Sequence, residues 1–112
     1  LETLDLNNNQ VVDIVPLTNL VYLIFLNLNN NQIKIIAPVS GLVDLWFLSL
    51  SNNVGILNFQ PLEPIVFYRP HSVLEVQSIP SISSPENCPI LSRIRARGVE
   101  VFGNIPDPCP GQ

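Results

Sequence analysis

Few residues of this chain have a type and spacing suited to chemistry. His71 is the single histidine, set in the stretch Arg69-Pro70-His71 with no evident partner to orient it as a general base. The carboxylates are dispersed, with no pair placed for acid–base work. Cys88 and Cys109 are the only thiols, and they lack the Cys-x-x-Cys spacing of a redox pair. One histidine and two cysteines cannot build a clustered Cys/His metal site. There is no glycine-rich phosphate loop and no nucleophile elbow. Asp5 is a candidate calcium ligand only in isolation, because Asn27 and Ser49 take its place in the next two copies of the pattern described below. These residues predict a chain that is not an enzyme, with no cofactor and no metal.

Composition narrows the classes further. Hydrophobic residues make up 46% of the 112 and charged residues 12%, enough apolar matter for the core of one domain or of part of a larger one. The net charge is -4, and three of the five basic residues, Arg93, Arg95 and Arg97, share one short stretch. A nucleic-acid partner would call for a wider basic face and is not expected. The apolar run Leu20 to Leu26 ends at Asn27, far short of the roughly 18–20 residues of a membrane helix, so membrane insertion is not expected. The chain opens on Leu1 inside an apolar-periodic segment with no leader. It reads as a piece of a longer protein or a mature form.

The elements that position these residues are repeats. Leu1, Leu4, Leu6, Asn9, Gln10, Val11, Ile14, Pro16, Leu17 and Leu20 recur 22 residues later as Leu23, Leu26, Leu28, Asn31, Gln32, Ile33, Ile36, Pro38, Val39 and Leu42. A third copy begins Leu45, Leu48, Leu50, Asn53. Within each copy the leucines alternate with Thr3, Asp5 and Asn7, with Phe25, Asn27 and Asn29, and with Phe47, Ser49 and Ser51. That is the period of a short strand with one buried face. Such a strand buries its face only by stacking on the next copy, which makes a parallel sheet on one side and a return segment on the other. Pro16 and Pro38 disfavour a long helix in the return and favour a short or 3₁₀ turn. Asn9, Asn31 and Asn53 follow each strand, where a buried amide can satisfy the backbone of the bend. They are expected to form a structural ladder, while Asn7, Asn8, Asn29 and Asn30 point outward.

The segments LETLDLNNNQVVDIVPLTNLVY, LIFLNLNNNQIKIIAPVSGLVD and LWFLSLSNN resemble the leucine-rich repeat family in its 22-residue class. That class is typified by bacterial internalins and by a eukaryotic regulator of a protein phosphatase. They cover roughly the first half of the chain. The resemblance implies an α/β fold, a right-handed solenoid with parallel strands on a concave face that binds other proteins.

After Asn53 the pattern breaks. Val54 replaces the expected glutamine, and Pro61-Leu62 arrives one residue late, as though one residue were inserted. Ser72 to Gln77 offers one more strand, with Leu74 and Val76 inward and Val73, Glu75 and Gln77 on the other face. This stretch is either a divergent turn with an irregular loop or a coding stretch corrupted by a compensated frameshift. Glu86 to Arg97 carries Ile90, Leu91 and Ile94 at helical spacing, with Ser84 or Asn87 to cap it, Pro89 in its first turn and Gly98 to end it. Val99, Val101 and Phe102 follow as an extended segment. The expected domains are residues 1–66 as three repeat turns, 67–84 as a divergent turn or irregular loop, and 85–112 as a cap. ENCPILSRIRARGVEV resembles the C-terminal closure of bacterial leucine-rich repeat proteins. That resemblance also implies a Cys88–Cys109 disulfide, worth roughly 3 kcal/mol by chain entropy, against two unrelated reduced thiols in a cytosolic protein. The three arginines read as solvated charges on the cap.

The function expected is protein binding through the sheet face, by Thr3, Asp5, Asn7, Phe25, Asn27, Asn29, Trp46, Phe47, Ser49 and Ser51. Phe25, Trp46 and Phe47 are the anchors, because aromatics exposed on a polar sheet mark interfaces. The alternatives are a structural stack closing a longer solenoid and, more weakly, a carbohydrate site with Trp46 as the stacking ring. The partner is another protein, the chain a monomer within a longer one, and the location secreted or cell-surface, with cytoplasmic as the alternative.

Overall fold

An apolar residue, leucine in all but the last, at the inward position of a three-residue strand buries one side of that strand, and stacking completes the burial. In the computed structural model, which describes residues 1–65, 67 and 71–111, five such strands form one sheet. They are β1 (Thr3–Asp5), β2 (Phe25–Asn27), β3 (Phe47–Ser49), β4 (Val73–Glu75) and β5 (Glu100–Phe102). The strands lie side by side in chain order, each parallel to the next. The register stacks Leu4, Leu26, Leu48, Leu74 and Val101 in one column. Leu26, Leu48 and Leu74 are fully enclosed, whereas Leu4 and Leu6 in the first turn are only partly covered. Each enclosed leucine is worth about 1.5–3 kcal/mol of burial.

The return side is built from 3₁₀ turns at Val15–Leu17, Ala37–Val39, Gln60–Leu62 and Pro80–Ser83. In each, a proline sits at the first or second position, where its missing N–H has no bond to lose. Ile14, Ile36 and Phe59, the residues just before the first three of these turns, point into the core. The buried pair Asn31 and Ile33 is answered one turn later by the buried pair Asn53 and Ile56, so the extra residue before Pro61 falls at Val54-Gly55. The Lys34 side chain of the preceding turn lies over this glycine, and a Cβ there would sit 2.9 Å from Lys34 Cγ.

The fourth turn departs from the period and still keeps register. The strands start at Thr3, Phe25, Phe47, Val73 and Glu100, in steps of 22, 22, 26 and 27 residues. Leu74 and Val76 are buried, and β4 pairs with β3 along its whole length. Arg69 and Pro70, in the stretch expected as a divergent turn or irregular loop, lie outside the described residues. His71 is exposed, with φ at 64°.

Helix α1 (Asn87–Ala96) closes the stack, burying Cys88, Ile90, Leu91 and Ile94. The Ser84 hydroxyl accepts the Asn87 N–H at 3.0 Å, and Gly98 leaves the helix at φ +97°. Asn87 turns inward instead of capping. Its Oδ1 accepts the Phe59 N–H at 3.0 Å, and its Nδ2 donates to the carbonyls of Leu57 and Ser81. Cys88 and Cys109 are disulfide-bonded, with Cα atoms 5.7 Å apart.

Candidate binding face

Residues that alternate with the leucine column form the outer face of the sheet. One row runs Thr3, Phe25, Phe47, Val73, Glu100 and the next runs Asp5, Asn27, Ser49, Glu75, Phe102. Phe25 and Phe47 are direct neighbours on adjacent strands. Their rings stack with centroids 4.6 Å apart and planes 9° from parallel. Both remain partly exposed, and Trp46, one residue before β3, is 44% exposed.

The polar residues of this face have structural duties as well. Asp5 Oδ1 accepts the N–H of Asn7 at 3.0 Å, and Asn27 Oδ1 accepts that of Asn29 at 3.1 Å. These are Asx turns that close the end of each strand. Asn29 Oδ1 also accepts from the Asn52 amide at 3.4 Å. Thr3 and Asp5 are exposed, and Asn7, Asn27 and Asn29 half-buried.

Two residues expected to meet a partner do not reach the surface. Ser49 is wholly buried and Ser51 nearly so. Ser49 is the smallest residue of its row, hemmed by Asn27 and Glu75 in register on either side. The Ser51 hydroxyl accepts the Gln77 N–H at 2.9 Å, so it ties the third turn to the fourth. Among the described residues the Ser49 hydroxyl has no hydrogen-bond partner.

The asparagines divide by position. Asn31 and Asn53 are buried. Each amide donates to its own turn and the one before: Asn31 to Leu28 and Leu6, Asn53 to Leu50 and Leu28. Asn9 differs from the expected buried rung. It is exposed and bonds only within its own turn, to Leu6 and Asn7. Asn8, Asn30 and Asn52 adopt φ of 58°, 59° and 62°. Asparagine tolerates this left-handed region better than most side chains. There their N–H groups continue the inter-turn ladder, to the carbonyls of Asn29, Ser51 and Gln77. Ser78 holds the equivalent corner of the fourth turn at φ 59°, so the corner favours asparagine without requiring it.

The sequence places Val73 and Glu75 on the outer side of a further strand, but neither they nor Glu100 and Phe102 were counted among the binding residues. The alternation around Leu74 and Val101 was the available signal. Sequence reasoning also missed Glu63, which receives both Arg93 and Arg97. Arg93 Nε and Arg97 Nη2 each lie 3.0 Å from its carboxylate, so the cap is tied to the third return turn. Arg95 donates to the Val101 carbonyl at 2.6 Å, on the last strand of the sheet.

On the return side Ile35 and Leu57 are 72% and 76% exposed and line a shallow groove of about 320 Å³ with Ala37 and Pro61. Among the described residues no three His, Cys, Asp or Glu side chains come together as metal ligands, and no helix is long and apolar enough to cross a membrane.

Residues 1–39 match a family model described as leucine-rich repeats in two copies. The fold is similar to that of an internalin (inlF) from Listeria monocytogenes, at 20% identity and a TM-score of 0.50, over 94% of this chain and 42% of that one. A second internalin (inlC2) from the same species gives 22% identity and a TM-score of 0.51, over 93% of this chain and 52% of that one. The chain therefore spans about half the length of these structures or less. No curated protein sequence matches it. The architecture is the internalin-like leucine-rich repeat solenoid of the α/β class.

Proposed function

We propose that this leucine-rich repeat chain is a non-catalytic module that binds another protein through the outer face of its sheet. The observation that carries the reading is the stacked, partly exposed Phe25–Phe47 pair. Two aromatic rings left at the surface of a rigid sheet, ringed by Thr3, Asp5 and Asn27, have the anatomy of an interface centre with a polar rim. The sheet fixes both rings before binding, so little ordering entropy is lost on docking. Trp46 flanks the pair. The Cys88–Cys109 bond supports a location outside the cytoplasm, secreted or on a cell surface, since disulfides persist in oxidising compartments. A photo-crosslinking phenylalanine analogue tests the face. Placed at Phe25 it is expected to capture a discrete protein species. Placed at Ile35 on the return side it is expected to capture none, and the reverse pattern overturns the reading.

A further inference from the structure

Among the described residues the sheet face carries unpaired negative charge beside its aromatic centre. Val73 lies between Phe47 and Glu100 in one row, and Glu75 lies between Ser49 and Phe102 in the next. Glu75 and Glu100 are thus diagonal neighbours on adjacent strands. Among the described residues neither side chain has an ion-pair or hydrogen-bond partner. Two unpaired like charges on adjacent strands repel. The described cations are placed elsewhere. Arg93 and Arg97 hold Glu63, Arg95 holds the Val101 carbonyl, and Lys34 covers Gly55 on the return side. Glu100 is exposed and Glu75 half-buried, and both lie beside the apolar side chains of Val73 and Phe102 in register. Among the described residues this end of the face therefore presents carboxylate acceptors and negative charge with no cation to meet them.

We propose that the partner presents a basic residue here, an arginine or lysine set among apolar neighbours, with its head on Glu75 and Glu100 and its stem along Val73 and Phe102. This rests on the sheet face being the binding surface. A cationic head supplies the missing donors and removes the repulsion, and the ring of Phe47 or Phe102 adds a cation–π contact. A neutral or acidic partner would desolvate two carboxylates with nothing to pair them, which selects against it.

The test is selection of a random linear peptide library on the intact, oxidised chain. Affinities of the enriched peptides are then measured for the parent chain, the Glu75→Gln/Glu100→Gln variant and Phe47→Ala. An unchanged unfolding midpoint verifies that each variant is folded. The expected result is enrichment of Arg or Lys beside apolar residues, with binding weakened about tenfold or more in the double glutamine variant and by added salt. Enriched peptides without basic residues that still lose affinity with Phe47→Ala overturn the basic partner and leave the face intact. Peptides indifferent to Phe47→Ala overturn the face as well. Basic peptides that bind the double glutamine variant unchanged, or a selection that enriches nothing, also overturn the proposal.

Discussion

Asn53 serves the turn before its own: its Oδ1 accepts the backbone N–H of Ile33 at 3.0 Å, while its Nδ2 donates to the carbonyls of Leu28 and Leu50. One buried amide thereby satisfies backbone groups of two turns. Asn53→Ala strands all of them at a buried site, and a loss of about 2–4 kcal/mol is expected in urea unfolding. Asn9→Ala, at the exposed equivalent, is expected to cost less than about 1 kcal/mol. Equal losses at the two sites would show that burial does not set the effect.

The core was legible because its signal is periodic. Leu4, Leu26 and Leu48 recur at constant spacing, and spacing converts directly into a column of stacked strands. Features that depend on the third dimension were less legible. Ser49 and Asp5 occupy equivalent positions, yet only the neighbours across the sheet decide that the serine is buried and the aspartate exposed. Asn8 and Asn30 are exposed, as the sequence implies, but their left-handed backbone conformation is not visible in the spacing. Glu63 and Arg97 are far apart in sequence and meet only once the cap has docked. The fourth turn keeps its register through Leu74 despite a longer step, which no fixed period reveals.

The Ser49 hydroxyl, unpartnered among the described residues, is a cost to the fold. Ser49→Ala removes it without adding bulk and is expected to leave stability unchanged or raise it by up to about 1 kcal/mol. Ser51→Ala takes the acceptor from the Gln77 N–H and is expected to lower stability by about 1 kcal/mol. Thermal unfolding of both variants checks the opposite signs.

Reduction removes the staple between the start of α1 and the chain's last residues. A Cys88→Ser/Cys109→Ser variant is expected to be less stable by about 3 kcal/mol, the chain-entropy value for a loop of this size. Thiol counting on unreduced, denatured, exported protein is expected to find neither cysteine free. Two reactive thiols would contradict the bond and remove the support for an extracellular location.

Glu63 holds two arginines of the cap, with side-chain exposures of 24% for Glu63 against 57% and 37% for Arg93 and Arg97. Solvent weakens such pairs, so Glu63→Gln is expected to cost only about 0.5–1 kcal/mol. A double-mutant cycle with Arg97→Gln is expected to show a coupling of a few tenths of a kcal/mol or more. Strict additivity would mean that the cap docks without them.

The central claim is that Phe25 and Phe47 anchor a protein partner. Calorimetric titration of the cross-linked partner, once identified, against Phe47→Ala and Lys34→Ala measures it most directly. The account predicts a loss of more than about 1 kcal/mol for Phe47→Ala with the fold intact, and almost none for Lys34→Ala on the return side. Full affinity in Phe47→Ala together with a loss in Lys34→Ala would contradict it.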